Sequence, residues 1–261
     1  MPGAVLCDDL AMGAVVFFHA HPDDEAIFTG GTIALLSDSG HRTVVVVATS
    51  GELGSTYWDE EALYPVREAE ARRSCELLGV RRVEFLGYAD SGIGSDAATR
   101  PAGAFGDAPI AEAAARLAVI LADEQADALV IYDEGGIYGH PDHLNVHQVG
   151  LAAATATGVD IVYEATIDRE YLHFVETHLI GHAVVALTDP APAGVPSVLL
   201  SATVDVRPVI DRKRAAMAAH ASQIPADAEV LQMDGPTFAA VYGYEWFIRR
   251  GATGPIDRLA M

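Results

Sequence analysis

The sequence predicts an α/β fold, a Rossmann-like and mostly parallel sheet with helices on both faces. Three observations point there. Apolar, β-branched runs recur at regular spacing, and longer Ala-, Leu- and Glu-rich stretches of helical spacing separate them. Proline and glycine fall where helix starts and stops expect them. Strands alternating with helices in this way build a parallel sheet covered on both sides.

Taken in order, the first strand is expected over Ala14–Phe18 and the first helix over Asp24–Ser37, with Gly40 behind it. A second strand over Thr43–Ala48 leads into a long loop, Thr49–Pro65. Pro65 is placed to open a helix over Val66–Leu78, and Gly79 to close it. The third strand, Arg82–Leu86, leads into a second long loop, Asp90–Ala108. Pro109 then opens a helix over Pro109–Gln125. A strand over Ala128–Tyr132, a helix over Asp142–Thr155 and a strand over Asp160–Tyr163 complete a βαβαβαβαβ order. Both long loops follow strands, and long loops inside compact domains are usually functional.

Beyond Tyr163 the pattern changes to a C-terminal strand and helix extension. Ala183–Leu187 and Val198–Val204 read as strands, Thr188–Ser197 as a connection, and Ile210–Ala221 and Thr237–Phe247 as helices. The expected organisation is a leader over residues 1–11 and a single domain over 12–261. Within that domain, 12–165 form the core and 166–261 shape the substrate site. Met12 is an alternative start.

Composition narrows the class. A chain of 261 residues suits one large α/β domain, and 51% hydrophobic residues argue against disorder. A formal net charge of -21 repels nucleic acid and anionic membrane surfaces, so neither is an expected partner. The cysteines, Cys7 and Cys75, form no CxxC pattern, which fits a reducing cytoplasm. Leu10–His19 is too short to span a bilayer and lacks the basic flank of a signal peptide. No GxGxxG follows the first strand, so a dinucleotide site is not expected. Whether the chain forms a homo-oligomer stays open.

Two strand ends carry the chemistry. The first runs into His19-Ala20-His21-Pro22-Asp23-Asp24-Glu25, and the fourth into a segment ending Tyr138-Gly139-His140-Pro141-Asp142-His143. Ligands of open α/β sheets bind at the carboxyl ends of strands, and uncompensated buried charge is costly. His21, Asp24 and His143 would supply two nitrogens and one carboxylate oxygen. Three protein ligands with one open position is the usual form of catalytic zinc, which lowers the pKa of bound water to about 7 and polarises a carbonyl. Such a set also suits iron(II). The plainer reading makes these acids helix caps.

These motifs resemble those of the LmbE-like, or PIG-L, superfamily of zinc-dependent N-deacetylases, AHPDDE at Ala20–Glu25 and HPDH at His140–His143. The resemblance implies that His21, Asp24 and His143 bind the metal and that Asp23 is the general base. It implies that His140, as imidazolium, stabilises the intermediate or protonates the leaving amine, that Asp142 orients and charges His140, and that Tyr138 reaches the oxyanion. Arg67 and Asp90 resemble sugar-gripping positions of the mycothiol branch, which contains an N-acetylglucosaminyl-inositol deacetylase and a mycothiol S-conjugate amidase. His220, in His220-Ala221-Ser222-Gln223, resembles a position that contacts substrate or shapes the pocket. Plainer readings make Arg67 an ion-pair partner, Asp90 a turn residue and His220 an ordinary helix residue.

The expected function is therefore removal of an acetyl group from an N-acetylglucosaminyl substrate, with release of acetate and a free amine. The alternatives are an amidase acting on mycothiol conjugates or another larger amide, and a metal-binding module without catalysis.

Overall fold

The computed structural model describes residues 13–54, 60–94, 97–178 and 193–261. Among these described residues, seven strands form one sheet in the order β3-β2-β1-β4-β5-β7-β6. They are β1 Ala14–His19, β2 Arg42–Thr49, β3 Arg82–Tyr88, β4 Ala126–Tyr132, β5 Ile161–Thr166, β6 Ala202–Asp205 and β7 Tyr244–Arg250. The first five pair in parallel. β7 runs antiparallel to both β5 and β6. Every residue of β1 is buried, as a central parallel strand covered on both faces requires.

The helices are α1 Asp24–Phe28, α2 Gly30–Asp38, α3 Glu60–Leu78, α4 Ile110–Asp123, α5 Gly136–Gly139, α6 Pro141–Thr157, α7 Arg169–His178, α8 Ile210–Ala219, α9 Glu229–Gln232 and α10 Gly235–Tyr242. α4 and α6 pack on each other and against β4. α2, α3 and α8 form a second group. Among the described residues, no helix is long and apolar enough to cross a membrane.

Several expected elements differ in the structure. The helix expected over Asp24–Ser37 breaks at Thr29, whose hydroxyl donates back to the Glu25 carbonyl at 3.1 Å and also meets His19 Nε2 at 3.1 Å. Such back-bonding competes with the helical ladder. Pro65 lies inside α3 rather than at its start. The Val198–Val204 strand shortens to β6, because Ser197–Leu199 forms a 3-10 turn. The helix expected over Thr237–Phe247 ends at Tyr242, and β7 begins two residues later. α7 occupies a tract that the sequence left without an element. The leader and the Ala183–Leu187 strand lie outside the described residues.

Candidate active site and metal centre

β1 and β4 are neighbours at the point where strand order reverses. β1 proceeds to β2 on one side, and β4 proceeds to β5 on the other. In open α/β sheets this switch point opens a crevice at the carboxyl ends of the strands. The turn after β1 carries His21 and Asp23 and leads into Asp24 at the start of α1; the segment between β4 and α6 carries Tyr138 and His140, and the first turn of α6 carries His143. His140 caps α6, its Nδ1 accepting the Asp142 N–H at 3.1 Å, with Pro141 beginning the helix.

His21, Asp24 and His143 come together, all buried, with ligand atoms within 4.8 Å of one another. Asp24 Oδ2 lies 3.5 Å from His21 Nδ1 and 3.4 Å from His143 Nε2. Tetrahedral ligands at zinc distances of 2.0–2.1 Å sit about 3.3 Å apart, so this spacing fits a metal. The outer side of His21 fits as well. Its Nε2 faces Asp142 Oδ2 at 3.1 Å, and a ligating histidine commonly donates its other N–H to a carboxylate. The three residues form a cluster whose donor atoms could hold a metal ion.

Asp23 stands beside the cluster in a strained conformation, φ 105° and ψ −31°. Burial pushes its carboxyl up to about 6, and the Arg67 guanidinium pulls the other way. Arg67 is itself buried. It donates to the carbonyls of Gly51 and Pro22, each at 2.5 Å, and to Asp23 Oδ2 at 3.3 Å. It thus ties the loop after β1 to the loop after β2. The Asp23 N–H donates to Glu25 Oε2 at 3.0 Å. Glu25 Oε1 meets Ser74 Oγ and His220 Nε2, each at 2.6 Å. His220 has no exposed surface, so the structure places it behind Asp23, on Glu25.

Tyr138 OH lies 3.3 Å from His143 Nε2. The ring of His140 stands 4.7 Å from that of His21 and 5.4 Å from that of His143. Burial and the neighbouring His21 and His143 hold the His140 imidazole down to about 3. With Nδ1 accepting, the neutral ring keeps its proton on Nε2. Asp142 departs from the expected pairing. Its carboxylate is 4.0 Å from His140 Nδ1, yet it takes His21 Nε2 and both the N–H and the hydroxyl of Ser91. Asp90 Oδ1 lies 3.5 Å from His21 Nε2, and its carboxylate accepts the N–H groups of Gly92 and Leu53.

Sequence reasoning gave no role to Tyr132 or Ser91. The Tyr132 ring stacks 4.4 Å from that of His143, and its hydroxyl meets His19 Nδ1 and the Ala20 N–H. Tyr132 ends an apolar strand, so only the hydroxyl at a strand terminus could have marked it. Phe28 packs its ring 6.2 Å from His143. It also lines a separate pocket walled by Tyr171, Tyr244 and Trp246.

Residues 16–154 match the family PIG-L, GlcNAc-PI de-N-acetylase. The chain is similar to 1D-myo-inositol 2-acetamido-2-deoxy-alpha-D-glucopyranoside deacetylases. The one from Acidothermus cellulolyticus is 33% identical over 93% of this chain and 90% of that protein. The one from Geodermatophilus obscurus is 31% identical over 93% and 94%. Among solved structures, the N,N'-diacetylchitobiose deacetylase of Pyrococcus horikoshii superposes with a TM-score of 0.64 at 26% identity, covering 92% of this chain and 84% of that one. A 4-carboxy-2-hydroxymuconate hydratase from Pseudomonas putida reaches 0.61 at 19% identity over 94% and 98%. That likeness concerns the fold alone, since one fold hosts many chemistries.

Proposed function

The chain belongs to the PIG-L family, and on that premise we propose that it hydrolyses the acetamide of an N-acetylglucosaminyl conjugate such as a sugar-inositol, with zinc as its metal. The observation that carries the reading is Asp24 Oδ2 flanked by His21 Nδ1 and His143 Nε2, with Asp23, Tyr138 and His140 around it.

His21, Asp24 and His143 would hold the ion, which when bound supplies Lewis-acid polarisation of the carbonyl and a more acidic water. Asp23 accepts a proton from the attacking water. Water oxygen adds to the acetamide carbon, and charge builds on the carbonyl oxygen. The Tyr138 O–H and the His140 Nε2–H donate to that oxygen. The C–N bond then breaks as the proton held on Asp23 passes to the amine nitrogen; the acetic acid formed gives up its own proton to Asp23 and on to solvent, and acetate and the free amine leave. Donors fixed in advance where charge develops are usually the largest contribution to catalysis of this kind. Arg67 acts on Asp23, and Asp90 is assigned to the sugar hydroxyls.

Amine release is the test, measured on N-acetylglucosamine, its inositol glycoside and a thiol-conjugate amide. The protein is stripped of metal and reconstituted with zinc or iron(II). Hydrolysis of the acetamido sugars is expected only with metal restored. Asp23→Ala should keep bound metal and lose about 10²–10⁴ in turnover. No cleavage of any acetamide with either metal would overturn the reading.

A further inference from the structure

The loop that carries Tyr138 holds a backbone conformation its sequence should avoid. Ile137 has φ 65° and ψ −55°, a region where a β-branched residue is a genuine outlier. Such conformations persist only where the surroundings over-determine them, and they cluster at functional sites. Ile137 is 2% exposed, and its carbonyl accepts the Gly194 N–H at 2.9 Å.

The surroundings here are largely one carboxylate. Asp133, 2% exposed, accepts the Ile137 N–H at Oδ1 at 2.9 Å and the Thr166 hydroxyl at Oδ2. Its own N–H donates to the Ala165 carbonyl at 3.1 Å, and its carbonyl accepts the Gly136 N–H at 2.9 Å. Asp133 is thereby anchored at the end of β4 and across to β5. Gly136 is wound tightly against α6. It has φ 59°, and a Cβ there would stand 2.9 Å from both His143 Cβ and the Leu144 nitrogen. One residue past Ile137, Tyr138 reaches His143.

The first active-site loop repeats the arrangement. Asp23, at φ 105°, donates its N–H to Oε2 of buried Glu25, whose Oε1 meets Ser74 Oγ and His220 Nε2. In both loops a buried carboxylate takes the N–H of a non-glycine residue in the positive-φ region.

We infer that Asp133 is a positioning residue for the deacetylation. Its carboxylate holds Ile137 in the left-handed turn and so sets the Tyr138 hydroxyl beside His143. The inference rests on the oxyanion role proposed for Tyr138.

A double-mutant cycle on the metal-loaded enzyme tests it. Asp133→Asn keeps an acceptor at Oδ1 and should stay within a few-fold of wild type. Asp133→Ala strips the Ile137 N–H of its acceptor and should lower kcat by about 10²-fold, as small misplacements of reacting groups do, with KM and metal content unchanged. Glycine adopts positive φ freely, so in an Ile137→Gly background the same Asp133→Ala change should cost about tenfold less. An equal cost in both backgrounds would overturn the inference, as would a rise in KM with kcat unchanged. If Asp133→Ala does not fold, Asp133→Ser carries the cycle. The cycle is also read by thermal unfolding, where the same non-additivity is expected. If no acetamido sugar is hydrolysed, the functional reading fails, while the unfolding cycle still decides whether Asp133 holds Ile137.

Discussion

Glu25 and His220 are both fully buried and meet at 2.6 Å. Burial works against each charge, and each partner overrides it. The Glu25 carboxyl is held below its ordinary range by His220 and Ser74, and the His220 imidazole is held above its own by Glu25. His220→Ala would leave the carboxylate buried with its cation gone, a change of about 3–5 kcal/mol in stability for pairs of this kind. Urea unfolding should show that loss, with KM near wild type. A raised KM with an unchanged unfolding midpoint would instead make His220 a substrate contact. The gathering of His21, Asp24 and His143 was legible, because these are the side chains metal chemistry uses and the motifs space them near strand ends. Ser91 could not be read in the same way. Its value lies in donating to Asp142, 51 positions away, a proximity only the folded sheet creates.

Among the elements, α2 shows how the C-terminal extension is built into the core. Its first turn has no local cap. Glu245, on β7, accepts the N–H groups of Gly31 and Thr32, each at 2.8 Å, and pairs with buried Lys213 of α8 at 2.6 Å. A carboxylate at a helix N-terminus meets free donors and the positive end of the dipole. Glu245→Gln keeps shape but leaves the Lys213 ammonium without its counter-charge, and should destabilise by about 3–5 kcal/mol. Adding Lys213→Met should recover part of that loss. An unfolding midpoint equal to wild type in Glu245→Gln would refute the pairing's importance. The same strand marks where periodicity failed as a guide. Alternation in Tyr244–Arg250 buries Glu245 and Phe247 in turn, but a charged residue on an inward position masks a period of two. The apolar runs of β1, β2 and β4 carried no such charge, and they were legible.

For the molecule as a whole, the metal cluster sits where the two halves of the sheet diverge. Asp24 and His21 belong to the turn after β1, and His143 to the helix after β4. The chain carries a formal net charge of -21, and four carboxylates converge on this one region, Asp23, Asp24, Asp90 and Asp142. Their mutual repulsion opposes folding unless cations answer it. Histidine and Arg67 supply part of the answer, and a divalent ion held by His21, Asp24 and His143 would supply the remainder and cross-link the two halves. Anything that binds only the folded state stabilises it by mass action, about 2.7 kcal/mol at a free concentration a hundredfold above Kd. Chelated protein should therefore melt at a lower temperature, and zinc should restore the loss. Sodium chloride at matched ionic strength should restore less, because buried charges are screened weakly. Asp24→Asn should abolish the zinc shift while retaining any response to sodium. Equal melting temperatures for metal-free and metal-loaded protein, with metal content verified by elemental analysis, would show that the cluster does not bridge the halves.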